Sequence, residues 1–315
     1  TKKKKLSAIH LALAASMPMT AQNLVKGNYG YLYCHMSDKG EWTAYAISRD
    51  GYNYQDINGG NPIFNPEEHA RIKGGTRDAY ITCMHNGKGY IMVTTDMCVR
   101  KSHKWDNYGI DLLKSKDLTN WTSVTFDFRK GMQNFCDAAT ATSPYKDWSA
   151  INRVWHLRSF KTFTKLTTPK LLFDWGYATI DADINFLKSN GLYHMLIKKE
   201  GGKRGIFTAT SKYLNHGWSA PVDDDFVSFE GNKLTEGSSA FQLIGDDTWR
   251  VAYIQYSDHP KHYRICKADK YLRNFSDPVD IKGVTAPQHG SFMRITKNEY
   301  KMLQKWDKEL KNKAK

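Results

Sequence analysis

Asp181-Ala182-Asp183-Ile184-Asn185-Phe186-Leu187-Lys188-Ser189-Asn190-Gly191-Leu192-Tyr193-His194-Met195-Leu196-Ile197 is the stretch that decides the fold. It reads as a strand with polar residues at its head, a Ser-Asn-Gly turn, and an apolar return strand from Tyr193 to Ile197. The same plan recurs three times. Asp78-Ala79-Tyr80-Ile81 leads through His85-Asn86-Gly87 to Tyr90–Thr94, and Glu236-Gly237-Ser238-Ser239 leads through Gly245-Asp246-Asp247 to Trp249–Ile254. His289-Gly290-Ser291-Phe292 opens a fourth copy that runs into the C-terminal segment.

The spacing makes these copies modules. Asp181 and Glu236 lie 55 residues apart, Glu236 and His289 lie 53 apart, and Asp78 and Asp181 lie 103 apart, which leaves room for one further unit. Repeats of roughly 40–50 residues with about four strands each are the signature of a β-propeller. Counting the intervening unit predicts five blades. The first strand of each blade lines the axis, so the polar residue at its head points into a common funnel. Helical periodicity is convincing only at the end of the chain. There Thr296 and Glu299 form a capping box, and Tyr300, Leu303, Trp306 and Leu310 recur at helical spacing. The expected architecture is all-β, a five-bladed propeller with a short C-terminal helix.

Composition agrees with a folded domain: 315 residues, 40% hydrophobic and 25% charged, with an aromatic share of 13%. No apolar run is long enough for a membrane span. The net charge of +14 invites a nucleic-acid reading, but nine of those charges sit in residues 1–5 and 294–315. A nucleic-acid binder carries its basic stripe across a folded face, so no nucleic-acid partner is expected, and the chain is read as a monomer. Lys2–Lys5, the apolar stretch Leu6–Ala15 and the small residues ending at Ala21 match a secretory signal over 1–21. That places residues 22–315, a single propeller domain, outside the cytoplasm, secreted or periplasmic. Cys34, Cys83, Cys98, Cys136 and Cys266 are odd in number and lack zinc spacing, which argues against a disulfide framework and a structural zinc site.

Asp78, Asp181 and Glu236 thus converge from separate blades, with His289 beside them. Two opposed carboxyl groups hydrolyse a glycosidic bond, one protonating the leaving oxygen and the other activating water or attacking the sugar. A third carboxylate nearby supplies negative charge that helps the acid keep its proton. Each residue also has a plainer reading. Asp78 follows Arg77 and can form a local ion pair, Asp181 and Asp183 alternate so that one faces solvent or caps a turn, Glu236-Gly237 can be a loop, and His289 can be a core histidine. The repeat-equivalent positions favour the catalytic reading.

At these residues the chain resembles glycoside hydrolase family 43. The resemblance is carried by Arg77-Asp78-Ala79-Tyr80-Ile81, Ile180-Asp181-Ala182-Asp183-Ile184, Thr235-Glu236-Gly237-Ser238-Ser239 and Gln288-His289-Gly290-Ser291. Further matches are Ala46–Tyr52, Lys116–Trp121 and Ile295–Tyr300. It extends over nearly the whole chain from about residue 28. It implies an inverting hydrolase of α-L-arabinofuranosyl or β-D-xylosyl linkages in plant oligo- or polysaccharides, with no cofactor required. Asp78 would be the general base, Asp181 would tune and orient the acid, and Glu236 would be the general acid. His289 would sit at the funnel centre, where relatives use a histidine beside water or a calcium ion. Arg77 and Arg264 are further candidates for holding substrate, and Trp175 and Tyr177, just before the Asp181 strand, for stacking on sugar.

One departure stands out. Where the family begins its second blade with Trp-Ala-Pro, this chain has Arg153-Val154-Trp155-His156, and Asn134–Ser149 offers no alternating apolar run long enough for a strand. The second blade is therefore expected to be incomplete. Its lost wall would lower activity or leave a sugar-binding propeller that does not cut.

Overall fold

The computed structural model describes residues 27–84, 87–105, 107–128, 154–160, 162–200, 205–222, 226–227, 234–256 and 261–313. They form four antiparallel four-stranded sheets, each a propeller blade. From the axis outward, blade I comprises Pro287–Ile295, Gly30–Ser37, Trp42–Ser48 and Tyr54–Asp56. Blade II comprises Thr76–Cys83, Tyr90–Asp96, Gly109–Ser115 and Trp121–Asp127. Thr179–Leu187, Leu192–Lys199, Gly205–Ser211 and Phe226–Val227 make blade III. Thr235–Gln242, Trp249–Gln255, His262–Ala268 and Val279–Asp280 make blade IV. Blade I closes the ring, since its inner strand comes from the far end of the chain and pairs with Gly30–Ser37, Tyr33 facing Phe292.

The blade count differs from the expected five. Among the described residues there are four blades, and between II and III those residues form only a ribbon, Trp155–His156 paired with Lys170–Leu171 and extended by a bridge from Ser159 to Leu166. Strands of two residues cannot present an alternating apolar face to neighbouring blades, so this ribbon is not by itself a blade. Asn134–Ser149, the weakest part of that segment in the sequence, lies outside the described residues, as do Cys136 and the expected signal segment 1–21. The other four cysteines are buried. Among the described residues no helix is long and apolar enough to cross a membrane.

A second repeat holds the outer edge of the blades. After the third strand of blade I, Ser48 Oγ accepts from the amides of Asp50 and Gly51 (3.2 and 2.9 Å), and Asp50 Oδ1 accepts from Tyr52 and Asn53 (2.8 Å each). Blade II repeats this with Ser115, Asp117, Thr119 and Asn120 at 2.9–3.1 Å. Blade III keeps the serine, Ser211, and blade IV uses an aspartate, Asp269. Such side chains satisfy turn amides that have no ladder partner. The segments Ala46–Tyr52 and Lys116–Trp121 owe their likeness to each other to this turn.

The C-terminal helix, Lys297–Lys313, begins with the expected capping box: Glu299 N donates to Thr296 Oγ1 (3.2 Å) and Thr296 N donates to Glu299 Oε2 (2.6 Å). Its apolar stripe of Tyr300, Leu303, Trp306 and Leu310 packs on the core formed by Leu32, Tyr45, Ile47 and Leu113.

Blade II carries a fully buried carboxyl, Asp111, bonded by the hydroxyls of Thr125 (2.7 Å) and Thr94 (3.2 Å). Burial, with the nearby Asp96 charge acting in the same direction, raises it from 3.8 to about 7 against the pull of those bonds. The folded protein therefore holds a proton here that the unfolded chain releases near pH 4. The stability linked to that proton is full below about pH 4 and disappears as pH rises through about 7. Asp111→Asn should flatten the pH dependence of the urea midpoint across this window. An unchanged slope would show that Asp111 does not carry it.

Candidate active site

The inner strands of all four blades share one irregularity. The pairing register shifts between Arg77 and Tyr80, between Ile180 and Asp183, between Glu236 and Ser239, and opposite His35–Ser37 in blade I. These are β-bulges, which bend a strand and re-aim a side chain. At three of them a residue turns left-handed: Asp78 (φ 52°), Asp181 (φ 56°) and Gly237 (φ 61°). Aspartate tolerates this region better than most side chains because its short polar group can bond locally. Gly237 has an additional reason, since a Cβ there would stand 2.3 Å from His289 Cδ2.

The bulges bring Asp78, Asp181, Glu236 and His289 together. His289 Nδ1 lies 3.5 Å from Asp78 Oδ1 and 4.0 Å from Asp181 Oδ1, and Nε2 lies 3.3 Å from Glu236 Oε1. Asp181 Oδ2 accepts from Gly237 N at 3.2 Å, which ties blade III to blade IV. Burial alone would lower the His289 imidazole, but Asp181, with Glu236 and Asp78 assisting, raises it to about 9. Burial raises Asp181, and the Glu236 and Asp78 charges add to that against the pull of His289.

Glu236 behaves otherwise. Burial pushes its carboxyl up, but His289 and Lys198 outweigh it and hold the group below the usual range. Lys198, on the second strand of blade III, is buried, bonds Glu236 directly, and lies 3.0 Å from Glu200. The sequence reading missed it. Its signal was weak: a Lys-Lys-Glu run closing an apolar strand reads first as a solvated strand end.

Other candidates sit elsewhere or do other work. Arg77 is buried at the site, 3.8 Å from Asp78 Oδ2 and 3.0 Å from Glu41 Oε1. Arg264 lies on the third strand of blade IV and pairs with Asp280 at 3.0 Å, so the structure does not bring it to the carboxylates. Trp175 stacks on Phe173 with ring centroids 3.8 Å apart and packs on the core of blade III with Tyr193 and Met195. Tyr177 lies under the Lys199 ammonium, 4.2 Å from its ring centre, at the same end of blade III as Asp181. Asp183 neither faces solvent nor caps a turn: it is buried and accepts from Ala240 N (2.8 Å) and Asn185 Nδ2 (2.7 Å). A cavity of about 1060 Å³ opens at the opposite ends of the inner strands, beside Cys83, Asn185, Phe241 and Arg294, and none of the clustered carboxylates lines it.

Asp181, Glu236 and His289 each place a ligand atom within 4.8 Å of the others. As arranged they fit a directly bound calcium ion poorly. Calcium takes about 6–8 oxygen ligands. Here both imidazole nitrogens face carboxylates and Lys198 already compensates Glu236.

Sequence comparison identifies the family. The profile of a glycosyl hydrolase 43-related family, described as "Probable glycosyl hydrolase domain", covers residues 27–142 and 140–301. The chain belongs to this glycosyl hydrolase 43-related family. Among curated relatives, an α-L-arabinofuranosidase of Bifidobacterium longum is 24% identical over 84% of the chain. The chain spans only about a third, 32%, of that relative's length. Among solved structures, a GH43 protein of Bacillus licheniformis, BlXynB, superposes with a TM-score of 0.52 at 12% identity, over 83% of this chain and 56% of that one. A GH43 β-1,3-galactosidase superposes with a TM-score of 0.50 at 10% identity, over 75% and 53%. At such identities these two speak for the propeller fold of this family member, and for nothing finer.

Proposed function

We propose that this member of the family is an inverting glycoside hydrolase that removes α-L-arabinofuranosyl or β-D-xylosyl units from plant oligo- or polysaccharides outside the cytoplasm. The convergence of Asp78, Asp181, Glu236 and His289 from four bulged inner strands carries the reading. Asp78 is the base that activates water and Glu236 the acid that protonates the leaving oxygen. Asp181, closer to Glu236, adds charge that favours the protonated acid. Asp78 and Glu236 lean on different nitrogens of one imidazole, and inversion calls for their carboxyl groups to stand roughly 6.5–9.5 Å apart to admit water. His289, Arg77 and Tyr177 hold substrate, and no organic cofactor takes part. Of the two sugars, arabinose has the support of the curated arabinofuranosidase relative. Hydrolysis of aryl-arabinofuranosides and aryl-xylosides, followed by proton NMR of the first-formed anomer, tests both parts. A product that keeps the substrate's configuration refutes the base role of Asp78.

A second reading has its own observation. Lys198 and His289 hold the Glu236 carboxyl below its usual range, which favours the wrong state for an acid, and the described residues form only a ribbon where a further blade was expected. A propeller that binds glycan without cutting would look like this. Titration with oligosaccharides beside a prolonged incubation separates the two, because binding without product selects the second.

A further inference from the structure

Trp105 stands apart from every other tryptophan among the described residues. It is 71% exposed, and it lies on the loop that joins the second and third strands of blade II, at the same end as Asp78. An unsupported indole in water would be a liability. This one is supported: the Arg77 guanidinium lies 5.2 Å from its ring centre, within cation–π range. Arg77 in turn is fixed by Glu41, a buried carboxylate from blade I with a left-handed backbone (φ 60°). The other Glu41 oxygen accepts from Arg100 N at 2.7 Å and faces Cys98 Sγ at 3.4 Å. One buried carboxylate therefore anchors both the cation beneath the indole and the loop that carries it. The same Arg77 touches Asp78 at 3.8 Å, which sets Trp105 at the mouth of the carboxylate funnel.

A flat apolar ring, preorganised by a cation on one face and open on the other, suits the axial C–H face of a sugar. We infer that Trp105 is the platform on which a neutral pentose oligosaccharide rests at the funnel mouth, seated by the Glu41–Arg77 pair. This rests on the hydrolase reading above and adds to it a specificity-determining residue on blade II. Trp175, the tryptophan favoured by sequence, is spent on core packing instead.

The test uses the full chain carrying Glu236→Gln, which binds without turnover. Xylotriose and arabinotriose are titrated into it by calorimetry, alone and combined with Trp105→Ala or Trp105→Phe. The platform predicts that Trp105→Ala weakens binding of the preferred trisaccharide by about tenfold and that Trp105→Phe restores part of the loss. Because the side chain is exposed, the melting temperature should stay within a few degrees, which separates lost contact from lost fold. In the active background, KM should rise far more than kcat falls. Undiminished affinity in Trp105→Ala overturns the platform and leaves the hydrolase reading standing. Loss of affinity, together with no release of sugar by the chain that keeps Glu236, upholds the platform and removes the hydrolase reading. Binding of neither trisaccharide by the Glu236→Gln protein overturns the platform.

Discussion

Glu236→Ala should lower the hydrolysis of xylo- and arabino-oligosaccharides by about 10²–10⁴-fold, the usual contribution of a general acid. A poor leaving group needs its oxygen protonated as the bond breaks, and the proposed scheme gives that task to Glu236. An aryl glycoside with an activated phenol leaves without that help. Its turnover should fall much less, and the ratio between the two substrates is the diagnostic quantity. Equal losses on both would move the acid elsewhere, and full activity on the oligosaccharides would end the assignment.

Lys198→Met should have the largest effect on stability. The Lys198 and Glu236 side chains are 7% and 11% exposed, and Glu200 makes a third member of the cluster. Removing one partner of a buried pair typically costs about 3–5 kcal/mol, because the remaining charge has lost its compensation without regaining water. Equilibrium urea unfolding would measure this, and a loss below about 1 kcal/mol would show that solvent or His289 compensates Glu236 alone. The same substitution has a kinetic signature. Lys198 helps to hold the Glu236 carboxyl down against burial, so its loss should raise that group and move the alkaline limb of the pH–rate profile to higher pH. An alkaline limb that stays in place would separate Lys198 from the acid.

The site was legible where it repeats. Asp78 and Asp181 open the bulges of their strands, Glu236 lies one residue earlier and His289 one later in theirs, near enough that each supported the others in the sequence. The fold was legible for the same reason, through strand, turn and return strand. The count failed at residues 154–171, because the distance from Asp78 to Asp181 was divided into two equal units. Blade II fills residues 76–127, and between it and blade III the described residues form only a two-stranded ribbon. Lys198 escaped notice because it has no counterpart in the repeat, and a strand-end lysine carries no mark of burial. Trp175 and Arg264 were singled out through residue type alone. An indole near an inner strand can face the core, and an arginine on a third strand meets its own blade's carboxylate first. The Asp-x-Asp alternation at 181–183 suggested one solvent-facing carboxylate, whereas the bulge breaks the alternation and leaves Asp183 bonded to the next blade.

The left-handed turn at Asp78 and Asp181 governs how these positions can be interrogated. Alanine there would remove a carboxylate and would also place an ordinary side chain in a backbone region costing roughly 1–2 kcal/mol for a residue without a local polar group. An inactive alanine variant would mix two causes: absent chemistry and a relaxed bulge that lets the neighbouring side chains swing away. Asparagine keeps the shape, the local bonding and the tolerance of the strained turn, and changes only the charge. Asp78→Asn and Asp181→Asn are therefore the substitutions whose losses can be read as chemistry, while Gly237 admits no informative replacement because its neighbour His289 occupies the space any side chain would need.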